Sequence, residues 1–280
     1  MKKTICVFFY SDERYEKMSQ VSLNSFKNFH PNIPTFVYNM ENVGDLFTLK
    51  MKVPFGILKY MVALAKAKSE KAGKVIILGC DTITCSRLDE FIENEEDILC
   101  TLDYPYKLVT PFVQSPDSET HVNADVVCFN NLEALSEVIK ASFKHTTYFE
   151  QGGLNEILWA AGYNFSHKIV DAPYEDSDVV YNARAKGNLC AASGTKPWKE
   201  FTTKFEVIED KLYTGLHRNN QKVNKQIKVW HYCEGLGTLH GHRFEDIINW
   251  WIEEGFNEDT KSFFNNVCAS GDFFDKEFKI

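Results

Sequence analysis

The run Lys74-Val-Ile-Ile-Leu-Gly-Cys-Asp-Thr-Ile-Thr84 constrains the fold more than any other stretch of the chain. Four consecutive branched or apolar residues, Val75 to Leu78, offer no polar face, so they predict a strand covered on both sides, as in a parallel sheet between two helix layers. The apolar run stops at Gly79, and Asp81 then lies just beyond the carboxyl end of the strand. In open α/β sheets ligands gather along that edge, which makes an acid there a candidate metal or substrate contact. A turn-forming Asp after a strand is the competing explanation.

Periodicity on either side places this strand in a repeating order. Thr4–Tyr10 reads as a strand, 13–28 as a helix with Met18, Val21, Leu23 and Phe26 on its apolar face, and 34–38 as a second strand. Ile57, Leu58, Met61, Val62, Leu64 and Ala65 recur at helical spacing over 56–68 before Gly73 breaks the pattern. The β-α-β-α-β order predicts right-handed crossovers and a doubly wound α/β sheet of the nucleotide-binding kind, flanked by helices. Further strands are expected at 98–102 and 126–129, and helices over 132–143 and 151–161. Residues 163–226 mix Gly, Pro, Asn and charge with short apolar pieces, predicting irregular structure and a few antiparallel strands. A late strand at 227–232 and a helix at 244–254 follow. This divides the chain into a main α/β domain over 1–240 and a helical C-terminal extension over 241–280, packed on that domain.

Eight cysteines contain no Cys-x-x-Cys pair and sit mostly in apolar runs, which predicts reduced thiols packed as small hydrophobes in a cytoplasmic protein. The net charge of −8 argues against a nucleic-acid partner, since phosphate-backbone binding needs a basic footprint. The apolar run after Lys2 and Lys3 is too short for a signal peptide, and no stretch approaches the length of a transmembrane segment.

Five segments in order carry the functional signal: Ser11-Asp-Glu-Arg-Tyr15, Leu78-Gly-Cys-Asp-Thr-Ile-Thr84, Val122-Asn-Ala-Asp-Val-Val-Cys-Phe-Asn130, Phe149-Glu-Gln-Gly-Gly-Leu-Asn155 and Val229-Trp-His-Tyr232. Together they resemble nucleotide-sugar glycosyltransferases of the GT-A (Rossmann-like) fold, especially the glycogenin-like and lipopolysaccharide galactosyltransferase-like group known as glycosyltransferase family eight. The resemblance covers roughly residues 4–235 and lies in the order and spacing of short motifs.

The resemblance implies that Asp81 and His231 hold Mn2+ or Mg2+ against the donor diphosphate. In that group a second acid precedes the one matched by Asp81, and here Gly79 replaces it, which predicts weaker binding of free metal. Asp12 and Tyr15 match positions that hold uracil, and Tyr10 precedes them at the strand end. Lys59 stands about where the group has a basic residue facing phosphate, although a solvated lysine on that helix face is the plainer reading. Asp103 matches an acid that bonds sugar hydroxyls, with a turn before Tyr-Pro as the alternative. Asn123 matches an amide that reaches the donor sugar. Asp125 stands where glycine is usual, adding a carboxylate near the sugar. Glu150 and Gln151 resemble an acid-amide pair near the anomeric carbon, and the following Gly152-Gly153 suggests that something approaches closely there. Lys196-Pro-Trp198 lies upstream of His231, on the wrong side to match the group's phosphate-binding lysine segment.

The reaction so implied transfers a sugar from a nucleotide-diphosphate sugar, a UDP-sugar above all, to a glycan or other hydroxyl acceptor with divalent-metal assistance and retention of anomeric configuration. The alternative is a non-catalytic nucleotide- or glycan-binding module with a transferase-like fold. A nucleotidyltransferase would need a Gly-rich, basic loop after the first strand, and Tyr10 to Arg14 contains no glycine.

Overall fold

The computed structural model describes residues 2–10, 15–45, 53–84, 86–102, 121–145, 149–171, 179–180, 183–184, 204–208, 211–218 and 221–231. Asp12, Asp103, Lys196 to Trp198 and the expected C-terminal extension lie outside them. Chain order begins β1 (Thr4–Tyr10), α1 (Glu16–Phe29), β2 (Thr35–Asn39), α2 (Phe55–Ser69), β3 (Lys74–Gly79) and β4 (Thr82–Thr84). It continues through α3 (Asp89–Glu93), β5 (Ile98–Leu102), β6 (Val122–Phe129), α4 (Leu132–Ser142), α5 (Phe149–Trp159) and β7 (His167–Ile169). The last elements are β8 (Val179–Val180), β9 (Ala183–Arg184), β10 (Lys204–Ile208), β11 (Lys211–Arg218), β12 (Gln221–Ile227) and β13 (Val229–His231).

Six strands form the main sheet in the order β2-β1-β3-β6-β5-β7. β1 pairs in parallel with β2 and β3, and β5 with β7, while β6 runs antiparallel between β3 and β5. The sheet is therefore mixed and mainly parallel. Because β6 alone is reversed, its first residues lie at the same edge as the carboxyl ends of β1, β3 and β5. Two smaller sheets follow: β10-β11-β12-β8, whose first three strands pair antiparallel as the sequence of 163–226 predicts, and β4-β13-β9.

Every residue of β3 is buried, and alternate residues face two separate cores. Val75 and Ile77 join Ile5, Val7, Val127 and Phe129 under α2, α4 and α5. Ile76 and Leu78 join Cys6, Phe8 and Cys128 with Phe26 of α1 and Phe91 of α3 on the other face. Burying each such side chain is worth about 1.5–3 kcal/mol, so these two layers supply the stability against which a charged site can be maintained. Cys6, Cys100 and Cys128 are free thiols within these cores, and burial pushes the pKa of Cys128 up to about 12. Among the described residues no helix is long and apolar enough to cross a membrane.

Two polar side chains close helix ends inside the packing. Lys74, buried at the start of β3, donates to the carbonyls of Phe91, Ile92 and Asn94 at 3.1, 2.5 and 3.0 Å, satisfying the last turn of α3. His30 ends α1: its Nε2 accepts the Leu88 amide at 3.0 Å, and its ring packs 4.8 Å from Phe26. Burial, reinforced by Arg87, lowers the His30 pKa to about 4. Because the folded value lies below the unfolded one near 6.5, the stability from neutral His30 is present above pH 6.5 and is lost as pH falls towards 4. Thermal melts across pH 4 to 6.5 should therefore show a falling Tm, and His30→Gln, which takes up no proton, should show a smaller fall over the same window.

Candidate active site

Asp81 sits in the tight turn joining β3 to β4, and hydroxyl groups hold that turn in place. Ser22 of α1 donates to the Cys80 carbonyl at 2.6 Å, Thr82 donates to the Gly79 carbonyl at 2.8 Å, and Ser25 accepts the Thr84 amide at 3.0 Å. These small hydroxyl residues satisfy backbone groups that the turn would otherwise leave unpaired. β13 then pairs antiparallel with β4, setting His231 opposite Thr82, the residue after Asp81. The result is a His231 Nε2 to Asp81 Oδ1 distance of 3.3 Å, with the imidazole 2% exposed. Asp125 Oδ2 lies 3.8 Å from the same nitrogen.

Asp125 reaches this point through an irregularity in β6. Cys100 pairs with Val127 but Thr101 pairs with Asn123, so three residues of β6, Ala124 to Val126, bulge out between adjacent positions of β5. A bulge re-aims side chains and is common beside functional sites. The Asp125 amide, displaced from β5, is taken up by Asn123 Oδ1 at 2.8 Å, and Thr101 Oγ1 donates to the Val126 carbonyl at 3.2 Å. Where the sequence places the start of this strand at 126, it begins at Val122. Asn and Asp are poor strand formers, and the bulge is what admits them.

Lys59 meets Asp125 from the opposite layer. Tyr60, the next residue of α2, is fully buried and donates to the Ala124 carbonyl at 3.0 Å, pinning the helix to the bulge. The Lys59 ammonium forms a very short ion pair with Asp125 Oδ1 and lies 3.5 Å from Glu150 Oε1. Lys59 is 2% exposed, so the solvated lysine of the plainer sequence reading is not what the fold contains. Burial would lower its pKa, but the carboxylates of Asp125 and Glu150 more than reverse this and hold it well above the ordinary lysine value. Glu150 is raised above the usual carboxylate range by burial and by Asp125, against the pull of Lys59. Cys80 stays a thiol, raised by burial and then by Asp81 and Asp125.

Glu150 opens α5, and two contacts place it. Asn155, one turn further on, holds α5 to the start of β6 by accepting the Val122 amide and donating to the Val122 carbonyl, both at 3.0 Å. Gly56 in the first turn of α2 leaves the space that the Glu150 carboxylate fills, since the nearest atoms to a Cβ built there are all in Glu150 and overlap it. The sequence pointed to Gly56 only as a helix start. Its single available signal was a glycine early in an apolar helix, where Ala is favoured. Gly152 and Gly153 do mark a close approach, but of α4 and the turn that follows it: a Cβ at Gly152 would lie 2.7 Å from His145 Cγ, and one at Gly153 2.7 Å from the Val138 carbonyl oxygen.

Other candidates lie around this cluster. Asn123 is 1% exposed, with its carboxamide turned to the Asp125 amide and to Gln151 Oε1 at 3.5 Å, so it braces the bulge from behind. Gln151 in turn contacts His121 Nε2 at 3.1 Å. The hydroxyl of Tyr10 accepts from Asn39 Nδ2 at 2.9 Å at the end of β1, and Tyr15 precedes α1 at the same sheet edge. Gly79 neighbours Asp125 across the β3–β6 pairing: a Cβ there would lie 2.8 Å from Asp81 Oδ1 and 3.1 Å from Asp125 Cβ. The space a side chain at 79 would need is thus already bounded by two carboxylates.

The spacing of Asp81 and His231 can be compared with that of two ligands on a divalent ion. Adjacent ligands of a six-coordinate ion at about 2.1 Å are separated by about 3 Å, close to the Asp81–His231 spacing, and both Mn2+ and Mg2+ accept carboxylate oxygen with remaining positions filled by water or phosphate. Among the described residues no group of three or more His, Cys, Asp or Glu side chains is placed to hold a metal ion.

No protein-family model matches the chain, and no curated protein matches it in sequence. Its fold is similar to that of several solved glycosyltransferases. One is the galactosyltransferase LgtC in complex with donor and acceptor sugar analogs, at 15% identity and a TM-score of 0.45, covering 89% of this chain and 99% of that one. Another is the glycosyltransferase GlyE of Streptococcus pneumoniae TIGR4, at 13% identity and a TM-score of 0.47, covering 100% and 66%. A third is a glycosyltransferase involved in the glycosylation of the major capsid of PBCV-1, at 11% identity and a TM-score of 0.47, covering 88% and 99%. All three are distant, and the chemistry of the cluster is read from its own side chains.

Gly56→Ala should displace the Glu150 carboxylate and lower the Tm. In a Glu150→Ala background the same change should be neutral or stabilising by up to about 1 kcal/mol, the helix preference for Ala over Gly. A double-mutant cycle by urea denaturation measures the difference.

Proposed function

We propose that this chain is a glycosyltransferase that uses a nucleotide-diphosphate sugar, a UDP-sugar above all, and transfers the sugar to a glycan or other hydroxyl acceptor in the cytoplasm. The observation that carries this reading is the meeting of Asp81 and His231 at 3.3 Å beside Asp125, at the carboxyl edge of a mainly parallel sheet where α/β folds bind ligands. The order of sequence motifs supports the same class. The proposal includes Mn2+ or Mg2+ held by Asp81 and His231.

In such a transfer the bond between the anomeric carbon and the diphosphate breaks while a bond to the acceptor oxygen forms. Negative charge grows on the departing diphosphate, and positive charge grows at the anomeric carbon. A divalent ion at Asp81 and His231 supplies Lewis-acid stabilisation of the phosphate oxygens. The protein groups do the rest. Lys59, fixed in place and desolvated, adds positive potential that needs no reorganisation during the reaction. Asp125 and Glu150, oriented by that ammonium, present carboxylate oxygens that can hold sugar hydroxyls and stabilise positive character in the ring. Retention of configuration belongs to the proposal through the resemblance of the sequence motifs alone.

Differential scanning fluorimetry with a panel of nucleotides and nucleotide sugars tests the reading. UDP compounds with Mn2+ should raise the Tm more than either alone, since a ligand at a hundred times its Kd adds about 2.7 kcal/mol of stability. Asp81→Asn should remove the Mn2+-dependent part. A panel without any nucleotide response would overturn the proposal, and metal-dependent UDP binding without sugar transfer or hydrolysis would favour the binding module instead.

A further inference from the structure

We propose that the Lys59 ammonium is a resident counter-cation of the acidic cluster, which holds affinity for free divalent ions low until a diphosphate brings its own negative charge. The inference rests on the metal-assisted reading above and assigns Lys59 a role in setting when the ion binds.

Lys59 is not a surface lysine that can swing aside. It is 2% exposed, its helix is pinned by the Tyr60 hydroxyl to the Ala124 carbonyl, and Asp125 and Glu150 flank its ammonium. Asp125 uses Oδ1 on Lys59 while its Oδ2 faces His231, so the same carboxylate links the ammonium to the Asp81–His231 grip. An ion placed between Asp81 and His231 therefore meets a site whose nearest additional carboxylate among the described residues, that of Asp125, already carries a positive partner. Like charges held close in a poorly solvated pocket repel strongly. Asp125 Oδ1 and Glu150 Oε1, which could otherwise serve as hard oxygen ligands, face Lys59. A diphosphate entering with the ion reverses the balance, because its oxygens can be attracted to both cations. Occupancy by metal is thereby tied to occupancy by donor, and Lys59 acts as a positioning residue for that coupling.

Mn2+ titrations of the full chain at pH 8, read by the EPR signal of free Mn2+, test this with wild type, Lys59→Met and Lys59→Arg, each with and without UDP. Wild type and Lys59→Arg should bind free Mn2+ weakly and within about three-fold of each other. Lys59→Met should bind at least ten-fold more tightly, and adding Asp81→Asn should abolish the gain. UDP should tighten Mn2+ binding more in wild type than in Lys59→Met. If the methionine variant does not fold, Lys59→Gln, which keeps a hydrogen-bond donor for Asp125, should show the same direction. Unchanged or weaker Mn2+ affinity in the neutral variants, with Asp81→Asn still reducing it, would overturn the role of Lys59 and leave the metal reading standing. An equal effect of UDP in wild type and Lys59→Met would overturn it likewise. Absence of saturable Mn2+ binding in every variant, with or without UDP, would remove both.

Discussion

A lysine ammonium buried between two carboxylates is the interaction on which the rest of the site depends. Desolvating an ammonium is costly, and removing one partner from a buried ion pair costs about 3–5 kcal/mol because a charge is left without compensation. Lys59 belongs to α2, Asp125 to β6 and Glu150 to α5, so three elements that share one core are also tied at its rim. Lys59, with its side chain 3% exposed, is the charge that most needs its partners, and its ion pairs fix the three elements relative to one another before any ligand arrives.

The apolar layers make this affordable. β3 is buried on both faces, and the packing of β1, β3 and β6 fixes where the sheet edge lies. At that edge the regular pattern ends in departures that each carry a polar group: the hydroxyl-braced turn at Asp81, the bulge at Asp125 and the glycine gap at Gly56. The reversed direction of β6 matters because it brings the beginning of one strand beside the carboxyl ends of its two neighbours, β3 and β5. Residues far apart in the chain thus converge without any loop having to bridge them.

How much of this was legible varied with the range of the interaction. The strand Thr4–Tyr10 and the burial of Val75 to Leu78 follow from local pattern, because an unbroken apolar run can only be satisfied inside a sheet covered on both faces. Asp81 was visible for the same reason, as the first acid after that run. The burial of Lys59 was hidden, although its position matched a basic residue of the resembling group. A lysine in an amphipathic helix ordinarily points to water, and nothing in residues 56–68 reveals that two acids from 125 and 150 will enclose it. Gly152 and Gly153 were correctly read as a point of close approach, yet what approaches is α4 and His145 beyond it, since glycine records lost volume and not the identity of what fills it.

The amino-acid sequence by itself determined the alternation of strands and helices, the buried central strand, the edge at which polar groups would collect and the free thiols at Cys6, Cys100 and Cys128, all consequences of short-range periodicity and side-chain polarity. Only the tertiary structure decided that β6 runs backwards with a bulge, that His231 returns on β13 to stand beside Asp81, and that Lys59 turns inward to Asp125 and Glu150. Those outcomes depend on strand register and on charge compensation between elements, and both are settled only when the layers close on one another.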